Sequence, residues 1–496
     1  MGLLKHSLSF SVATLLSRVL GYVRDALIAY HFGVSDVSDA FFVAFRLPNT
    51  FRRLLGEGGF NAAFVPIFAK RIREGSERPF LNSAFTYYTL FNLLVTLLGM
   101  FLAEWVIRLL APGMVEKSYF DLAVFMARFL FSYLFFVGLS SFFMALLNTK
   151  GVFFVPAFAQ AMFNLALSLS VAFFSKTLGF YALIVGVVVG GVLQLLFHLP
   201  PVLSRGAMPT LSLSKDPDLY LLMKRLVPAV LGFGVAQLSF FIDTFLASFL
   251  ALGAISYLYY ANRIFQLPLG AVSTGMATSL LSVLSRGYSP KENITLAFRF
   301  LTLLSVPATA GLFTLSQPII ALLYGRGKFT QEDIVLTGKV LAVYSLGLTF
   351  FSLQKALSSV FFAKGDTKSP ILSSFFAVVF EGLSAFLFAF VLKLSVVGLA
   401  MGTASSSLAG FGFLLWRWKE RSLELRAYML TLFRCVLSTT FMVVFIHLVS
   451  PNPHGLLYTI PLAALVYFFG LLILREPLAY LPLNLLKGFV KKRSNP

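Results

Sequence analysis

Apolar runs of roughly 20 residues, separated by short polar stretches, recur along the whole chain. A helix of that length crosses a hydrocarbon core about 30 Å thick. The pattern therefore predicts an all-α polytopic membrane protein with fourteen transmembrane helices. The predicted spans are 8–30, 37–69, 82–108, 122–148, 153–175, 179–203, 220–250, 255–285, 296–323, 333–362, 369–392, 396–416, 428–449 and 455–474.

Composition and loop charges support this topology. Hydrophobic residues make up 58% of the 496 and charged residues 12%, so no stretch remains for a soluble catalytic domain. With both termini in the cytoplasm, 24 of the 40 Lys and Arg lie on the cytoplasmic side, 7 on the opposite side and 9 within spans. Membrane proteins show this excess in their cytoplasmic loops. The net charge of +20 is thus explained by topology, and we expect no nucleic-acid partner.

Two short patterns occur twice in the chain. Gly33 and Leu47-Pro48 recur 220 residues later as Gly253 and Leu267-Pro268, and the KGxxxxP of 150–156 recurs 214 residues later at 364–370. Six predicted spans separate the copies, and an even shift preserves orientation in the membrane. The repeat therefore predicts two parallel six-helix bundles, an arrangement found in transporters. The predicted parts are an N-terminal lobe 1–203, a cytoplasmic linker 204–219, a C-terminal lobe 220–427, two extra helices within 428–474 and a basic cytoplasmic tail 475–496.

The first two spans carry charges that the hydrocarbon core disfavours by at least ~2.5–3.5 kcal/mol each, so such residues usually face a cavity or a protein interior. These charges include Arg18, Arg24, Asp25, Arg46, Arg52, Arg53 and Glu57, whereas the repeat-related spans hold Asp243 and Arg263 away from their cytoplasmic ends. The planar fork of arginine binds phosphate through paired hydrogen bonds. We therefore predict a cavity that binds a phosphate or pyrophosphate through Arg18, Arg24, Arg52 and Arg263. On an ideal helix Arg18 and Arg24 lie about 9 Å apart in depth. Asp25 would orient Arg24 or Arg52 when substrate is absent.

Structural alternatives exist for these charges. Arg46, Arg52 and Arg53 could snorkel to an interface, and Arg24 could form a structural ion pair with Asp25. In the second half, Asp243 and Glu381 stand alone in apolar spans. Each could bind a coupling cation or be a neutral, hydrogen-bonded acid.

The run from Arg24 to Pro66, RDALIAYHFGVSDVSDAFFVAFRLPNTFRRLLGEGGFNAAFVP, closely resembles the signature of the MurJ (MviN) family. The segment GEGGFNAAFVP is its most specific part, and YYANRIFQLPLG in span eight matches as well. This family comprises the bacterial lipid II flippases of the multidrug/oligosaccharidyl-lipid/polysaccharide exporter superfamily. The resemblance implies transport of a disaccharide-pentapeptide on undecaprenyl pyrophosphate, from the inner to the outer leaflet of the plasma (inner) membrane, for cell-wall synthesis.

The resemblance also implies roles for individual residues. It places Arg18, Arg24, Asp25, Arg52 and Arg263 in the central cavity, with Asn49 and Glu57 in the same motif. The extra helices in 428–474 would form a groove for the lipid tail. A sodium site would involve Asp243, Glu381 and Thr403, although an asparagine expected one turn before Glu381 is Ala377 here. We expect a monomer without cofactor that contacts membrane lipids, with cell-wall synthesis proteins as candidate partners.

The expected mechanism is alternating access driven by sodium ions or the membrane potential. The segment GEGG at 56–59 lacks the GxxxxGK[ST] spacing of a nucleotide-binding loop. One rival is a MATE-like drug or metabolite cation antiporter of the same superfamily, whose cavity would favour acids. The other is a membrane enzyme acting on lipid-linked sugars, but the chain has no H-E-x-x-H motif for that chemistry.

Overall fold

The computed structural model describes residues 2–54, 59–235, 237–287, 289–420, 422–449 and 452–480. Within these ranges the chain forms helices and no strand. It divides into two compact units, Met1–Ser256 with Arg326–Thr330, and Tyr257–Gly325 with Gln331–Pro496.

Twelve α-helices belong to the first unit in its described residues. They are α1 Gly2–Phe32, α2 Asp36–Leu54, α3 Phe60–Arg73, α4 Glu77–Phe101, α5 Ala103–Leu110, α6 Phe120–Leu130, α7 Ser132–Thr149, α8 Phe154–Leu178, α9 Tyr181–Leu196, α10 Leu199–Ser204, α11 Asp218–Val235 and α12 Leu238–Ala247.

Helix α13, Ala254–Pro268, begins in the first unit and continues into the second. The helices that follow are α14 Thr274–Ser285, α15 Pro290–Thr314, α16 Ser316–Tyr324, α17 Gln331–Leu346, α18 Leu348–Ala363, α19 Lys368–Phe386, α20 Ser395–Arg417, α21 Leu425–Val449 and α22 Leu456–Ile473. Short π-helical turns extend α13 through Leu269–Ser273 and α19 through Leu387–Val391.

Each of the fourteen predicted spans coincides with one helix or with consecutive helices. In the described part of the chain, ten segments are long and apolar enough to cross a membrane. They are Glu77–Phe101, Phe120–Thr149, Phe154–Leu178, Tyr181–Ser204, Pro290–Thr314, Gln331–Ala363, Lys368–Val391, Ser395–Arg417, Leu425–Val449 and Pro453–Ile473. The other four predicted spans are 8–30, 37–69, 220–250 and 255–285. They contain the charged candidates from Arg18 to Glu57, together with Asp243 and Arg263. The count of fourteen crossings stays a prediction.

The second sequence repeat corresponds to a shared local geometry. Gly151 follows α7 with φ +78° and Gly365 follows α18 with φ +77°, a left-handed backbone that glycine adopts at low cost. In both copies the residue after the glycine donates its N–H to the carbonyl five residues earlier. Val152 donates to Leu147 O at 2.9 Å, and Asp366 donates to Phe361 O at 3.0 Å. This Schellman-type ending explains why the KG pair recurs. The wider repeat of two whole bundles stays a prediction.

Aromatic rings form the core of the first unit around helices α3, α4 and α7. Phe60 and Phe64 of α3 lie 5.3 Å apart, and both rings also pack on Phe142 of α7, at 5.5 and 5.2 Å. Phe80 of α4 lies 5.8 Å from Phe64. These four side chains are fully buried. The offset and tilted rings are the arrangements that aromatic pairs favour, so they fix how these helices meet.

Residues 205–217 are not helical and run along α4 in the first unit. The Ser212 N–H donates to Thr86 Oγ1 at 2.8 Å. At the end of the segment, Arg71 of α3 pairs with Asp216 at 2.8 Å and with Asp218 at 2.7 Å. Helices α11 and α12 pack in this unit, α11 against α3 and α12 against α5. The predicted lobe boundaries at 204–219 stay a prediction.

A buried carboxylate joins three parts of the second unit. Glu476 is fully buried and pairs with Arg299 of α15 at 2.8 Å and with Arg434 of α21 at 3.1 Å. Thr431 of α21 donates to the same carboxylate at 3.2 Å. The segment after α22 is thereby tied to α15 and α21.

Candidate functional site

Arg24 and Asp25 form a buried ion pair in the C-terminal part of α1. Arg24 is 7% exposed and Asp25 is fully buried. The Arg24 guanidinium donates to Asp25 Oδ1 through Nε at 2.9 Å and through Nη2 at 2.6 Å. Its Nη1 donates to Asn164 Oδ1 of α8 at 3.0 Å. The Asn164 amide in turn donates to the Ser17 carbonyl at 2.9 Å, which fixes α8 against α1.

Arg52 lies one helix further along the chain, near the end of α2. It is half-buried, and its Nε donates to Asn49 Oδ1 at 3.1 Å. Its Nη1 donates to Gln160 Oε1 of α8 at 2.9 Å. Amide oxygens are neutral acceptors, so these two bonds orient the guanidinium without cancelling its charge.

Helix α8 therefore supplies an amide acceptor to each arginine. Gln160 and Asn164 are four residues apart, so they share one helix face and differ by about 6 Å in depth. The structure brings Arg24 and Arg52 to successive levels on that face. The sequence reasoning did not select Gln160 or Asn164. The sequence feature that marks them is a pair of amide side chains four residues apart in an otherwise apolar span.

The other charged candidates of the first two spans are less enclosed or are not described. Arg18 is exposed on α1. Arg46 of α2 is half-buried, and its guanidinium lies over the Phe240 ring of α12 at 5.8 Å. The side chain of Arg53 and the whole of Glu57 lie outside the described residues.

Arg263, the cationic candidate of the second unit, lies half-buried on α13. It precedes Pro268 and the π-helical turn that continues α13. Its predicted role beside Arg24 and Arg52 stays a prediction.

The acids of the predicted sodium site are both buried. Asp243 lies on α12 of the first unit and is 5% exposed. In the second unit, Thr403 of α20 donates to Glu381 Oε1 of α19 at 2.8 Å. Ala377, one turn before Glu381, is buried and supplies no side-chain oxygen.

These residues of the second unit make an incomplete donor set. Hard cations in proteins gather several oxygen ligands. Of the predicted residues, Glu381 offers one carboxylate and Thr403 one hydroxyl, and these already bond to each other. Across the described residues, no group of three or more His, Cys, Asp or Glu side chains is placed to hold a metal ion. The sodium site stays a prediction.

The last two helices present an apolar surface. On α21 the side chains of Phe433 and Phe441 are 64% and 53% exposed, and on α22 those of Leu457 and Phe469 are 68% and 57% exposed. The two helices pack against each other, and α21 packs against α15. Such a surface suits hydrocarbon, and the lipid-tail assignment of 428–474 stays a prediction.

Comparisons with known proteins agree with the resemblance in the first two spans. The family model described as "Lipid II flippase MurJ" matches residues 28–468. A protein of Aquifex aeolicus (strain VF5) named "Probable lipid II flippase MurJ" is 37% identical over 482 residues, 97% of this chain and 96% of that protein. The "Lipid II flippase MurJ" of Burkholderia cenocepacia J2315 is 34% identical over 405 residues, 78% of each chain.

Solved structures extend the comparison to the fold. A structure titled "Lipid II flippase MurJ, inward closed conformation" superposes with a TM-score of 0.83 at 27% identity, over 95% of this chain and 99% of that one. A multidrug resistance MATE family transporter of the MOP superfamily gives a TM-score of 0.69 at 17% identity, over 80% of this chain and 93% of that one, which shows a shared fold. The chain belongs to the MurJ family of lipid II flippases, whose members are transporters and not enzymes.

Proposed function

We propose that this integral inner-membrane protein flips lipid II from the inner to the outer leaflet of the bacterial plasma membrane. The similarity to MurJ proteins over nearly the whole chain supports this function. The observation that carries it at the level of chemistry is a pair of arginines, Arg24 of α1 and Arg52 of α2, that bond to amides one helix turn apart on α8. Paired guanidiniums at two adjacent levels suit the two phosphates of a pyrophosphate.

In the proposed cycle, the headgroup enters from the cytoplasmic side and its pyrophosphate meets Arg24 and Arg52, assisted by Arg18 and Arg263. Asp25 occupies two N–H groups of Arg24 in the structure. A phosphate that binds Arg24 through those groups replaces the carboxylate. Asp25 is therefore a placeholder that satisfies the guanidinium between substrates, because a buried charge without a partner is costly.

The polyprenyl tail stays in lipid or along α21 and α22. Rocking of the two lobes then opens the cavity outward. We propose that a sodium gradient or the membrane potential drives this cycle, since one charge moving through 100 mV releases ~2.3 kcal/mol.

The test uses a bacterium depleted of its own flippase, with this chain as the replacement, and scores lipid II exposure on the outer leaflet. Arg24→Ala and Arg52→Ala should each abolish exposure at normal expression. Arg205→Ala, an exposed arginine in the segment after α10, is the matched control and should support growth. Full lipid II exposure by both cavity variants would refute the arginine assignment. Failure of the unmodified chain to restore growth, combined with resistance to cationic drugs, would favour an antiporter.

A further inference from the structure

A charged cavity lies in the first unit, where α5 and α6 meet. Its volume is about 460 Å³, and its lining includes Glu104 and Arg108 of α5 and Asp121 and Arg128 of α6. The remaining lining side chains are apolar, Phe125 of α6 among them. The cavity thus combines two cationic and two anionic groups with an apolar wall.

Arg128 is placed where a charge needs compensation. It lies eight residues after Phe120, the first residue of α6, and so about 12 Å along the axis of an apolar span. It is exposed beside the exposed ring of Phe129. Within the part of the chain that the structure describes, Arg128 forms no hydrogen bond or ion pair. An arginine at such depth is stabilised when phosphate and water reach it.

The opposite charge lies nearer the membrane surface. Asp121 precedes Arg128 by seven residues, so the two share one face of α6 about two turns apart. Asp121 is exposed and also lacks a side-chain partner among the described residues. The order along the helix is therefore a cation at depth and an anion at the rim.

Arg108 completes the cavity from α5. It donates to Glu104 at 2.8 and 3.1 Å, and its guanidinium lies over the Phe120 ring at 5.2 Å. These contacts hold its charge at the rim. Apolar residues on the same helix are exposed next to the cavity, Trp105 by 72% and Leu109 by 77%. They provide the surface on which acyl chains would lie, with tryptophan at the interface where it is enriched in membrane proteins.

We propose that this cavity binds a phospholipid with an amine-bearing zwitterionic headgroup, a phosphoethanolamine lipid. In such a lipid the phosphate lies closer to the acyl chains and the ammonium lies further out. Arg128 would bind the phosphate, and Asp121, assisted by Glu104, would accept hydrogen bonds from the ammonium. An anionic lipid without an amine matches the arginines but leaves both carboxylates facing its headgroup.

The proposal is tested by native mass spectrometry of the purified full chain with phosphatidylethanolamine, phosphatidylcholine and phosphatidylglycerol of identical acyl chains. Phosphatidylethanolamine should be retained best, because the quaternary amine of phosphatidylcholine has no N–H to donate. Arg128→Gln should reduce its retention by about tenfold, which is the loss of one charge-assisted contact. Asp121→Asn should reduce it to the level of phosphatidylcholine.

Arg73→Gln, at an exposed arginine in the last turn of α3, is the matched control and should leave retention unchanged. Both cavity side chains are exposed and unpartnered in the described residues, so the variants should unfold at the wild-type temperature. Equal retention of the three lipids, preference for phosphatidylglycerol, or no effect of Arg128→Gln would overturn the proposal. Displacement of the bound phospholipid by added lipid II would also overturn it, because the occupant would then be the substrate.

Discussion

Replacing Asn164 by leucine tests whether the orientation of Arg24 matters for transport. The change preserves approximate side-chain volume and removes the amide oxygen that accepts from Arg24 Nη1 at 3.0 Å. It also removes the bond from the amide to the Ser17 carbonyl at 2.9 Å. A hydrogen bond to a charged group contributes about 1.5–3 kcal/mol. If that energy positions Arg24 for the pyrophosphate, lipid II translocation should fall by roughly tenfold to a hundredfold.

The assay is outer-leaflet exposure of lipid II in flippase-depleted cells, combined with lipid II affinity and unfolding temperature of the purified protein. Ser168→Ala is the matched control, because Ser168 lies one turn further on the same helix and is 5% exposed. Its hydroxyl forms no hydrogen bond in the described part of the structure, so its loss should change little. Wild-type translocation by the Asn164→Leu variant would refute the reasoning. A lower unfolding temperature with unchanged affinity would assign Asn164 a structural role only.

Three further outcomes follow from the described contacts. Glu476→Gln should lower the unfolding temperature in detergent, because it removes the negative charge shared by two partly buried arginines, an effect of about 3 kcal/mol; an unchanged temperature would contradict this. The hydroxyl and N–H of Ser369 hold the pKa of Asp366 below its usual range, so the stabilisation is present at neutral pH and is lost as pH falls through that lowered pKa. Wild type should therefore unfold at a higher temperature than Ser369→Ala at pH 6. The difference should become smaller in strong acid, where the bond from Arg417 to the Ser369 hydroxyl remains. Gly33→Ala should be more destabilising than Gly151→Ala. Both glycines have positive φ, but a Cβ at Gly33 would overlap the Lys328 backbone oxygen, whereas a Cβ at Gly151 would meet open space.

The positions of the helices were predictable because span length and apolar content are local properties. Each predicted segment coincides with helix, and the KG pairs mark real helix ends at Gly151 and Gly365. Interruptions inside spans were not predictable in this way. Span three, for example, ends one helix at Phe101 and begins the next at Ala103, although residues 97–103 are all apolar.

In the candidate site, too, the features that depend on local sequence were predictable and those that depend on tertiary packing were not. Arg24 and Asp25 are adjacent in the sequence, which allows an ion pair between them to be predicted as an alternative to a cavity role. Their partner Asn164 is 140 residues away, and only tertiary packing brings α8 beside α1. Periodicity indicates which face of a helix is polar and does not indicate which helix that face meets. A search for amides at i, i+4 within apolar spans would have selected Gln160 and Asn164.

Under the proposed function, the charge balance around Arg24 connects this packing to transport. A guanidinium that is 7% exposed is stable in an apolar interior only with a partner, and Asp25 supplies one from the adjacent position. Because Asp25 already satisfies two N–H groups, a pyrophosphate gains less from Arg24 than from a free arginine. The net free energy of replacing Asp25 by pyrophosphate is therefore smaller than the binding free energy of pyrophosphate to an unpaired arginine. The same holds for the reverse step, in which Asp25 replaces the pyrophosphate. A transporter needs that property, since a headgroup held too tightly would not be released on the far side. Asn164 and Gln160 are neutral and differ from Asp25 in this respect. In the proposed cycle they would keep Arg24 and Arg52 oriented while one anion replaces another.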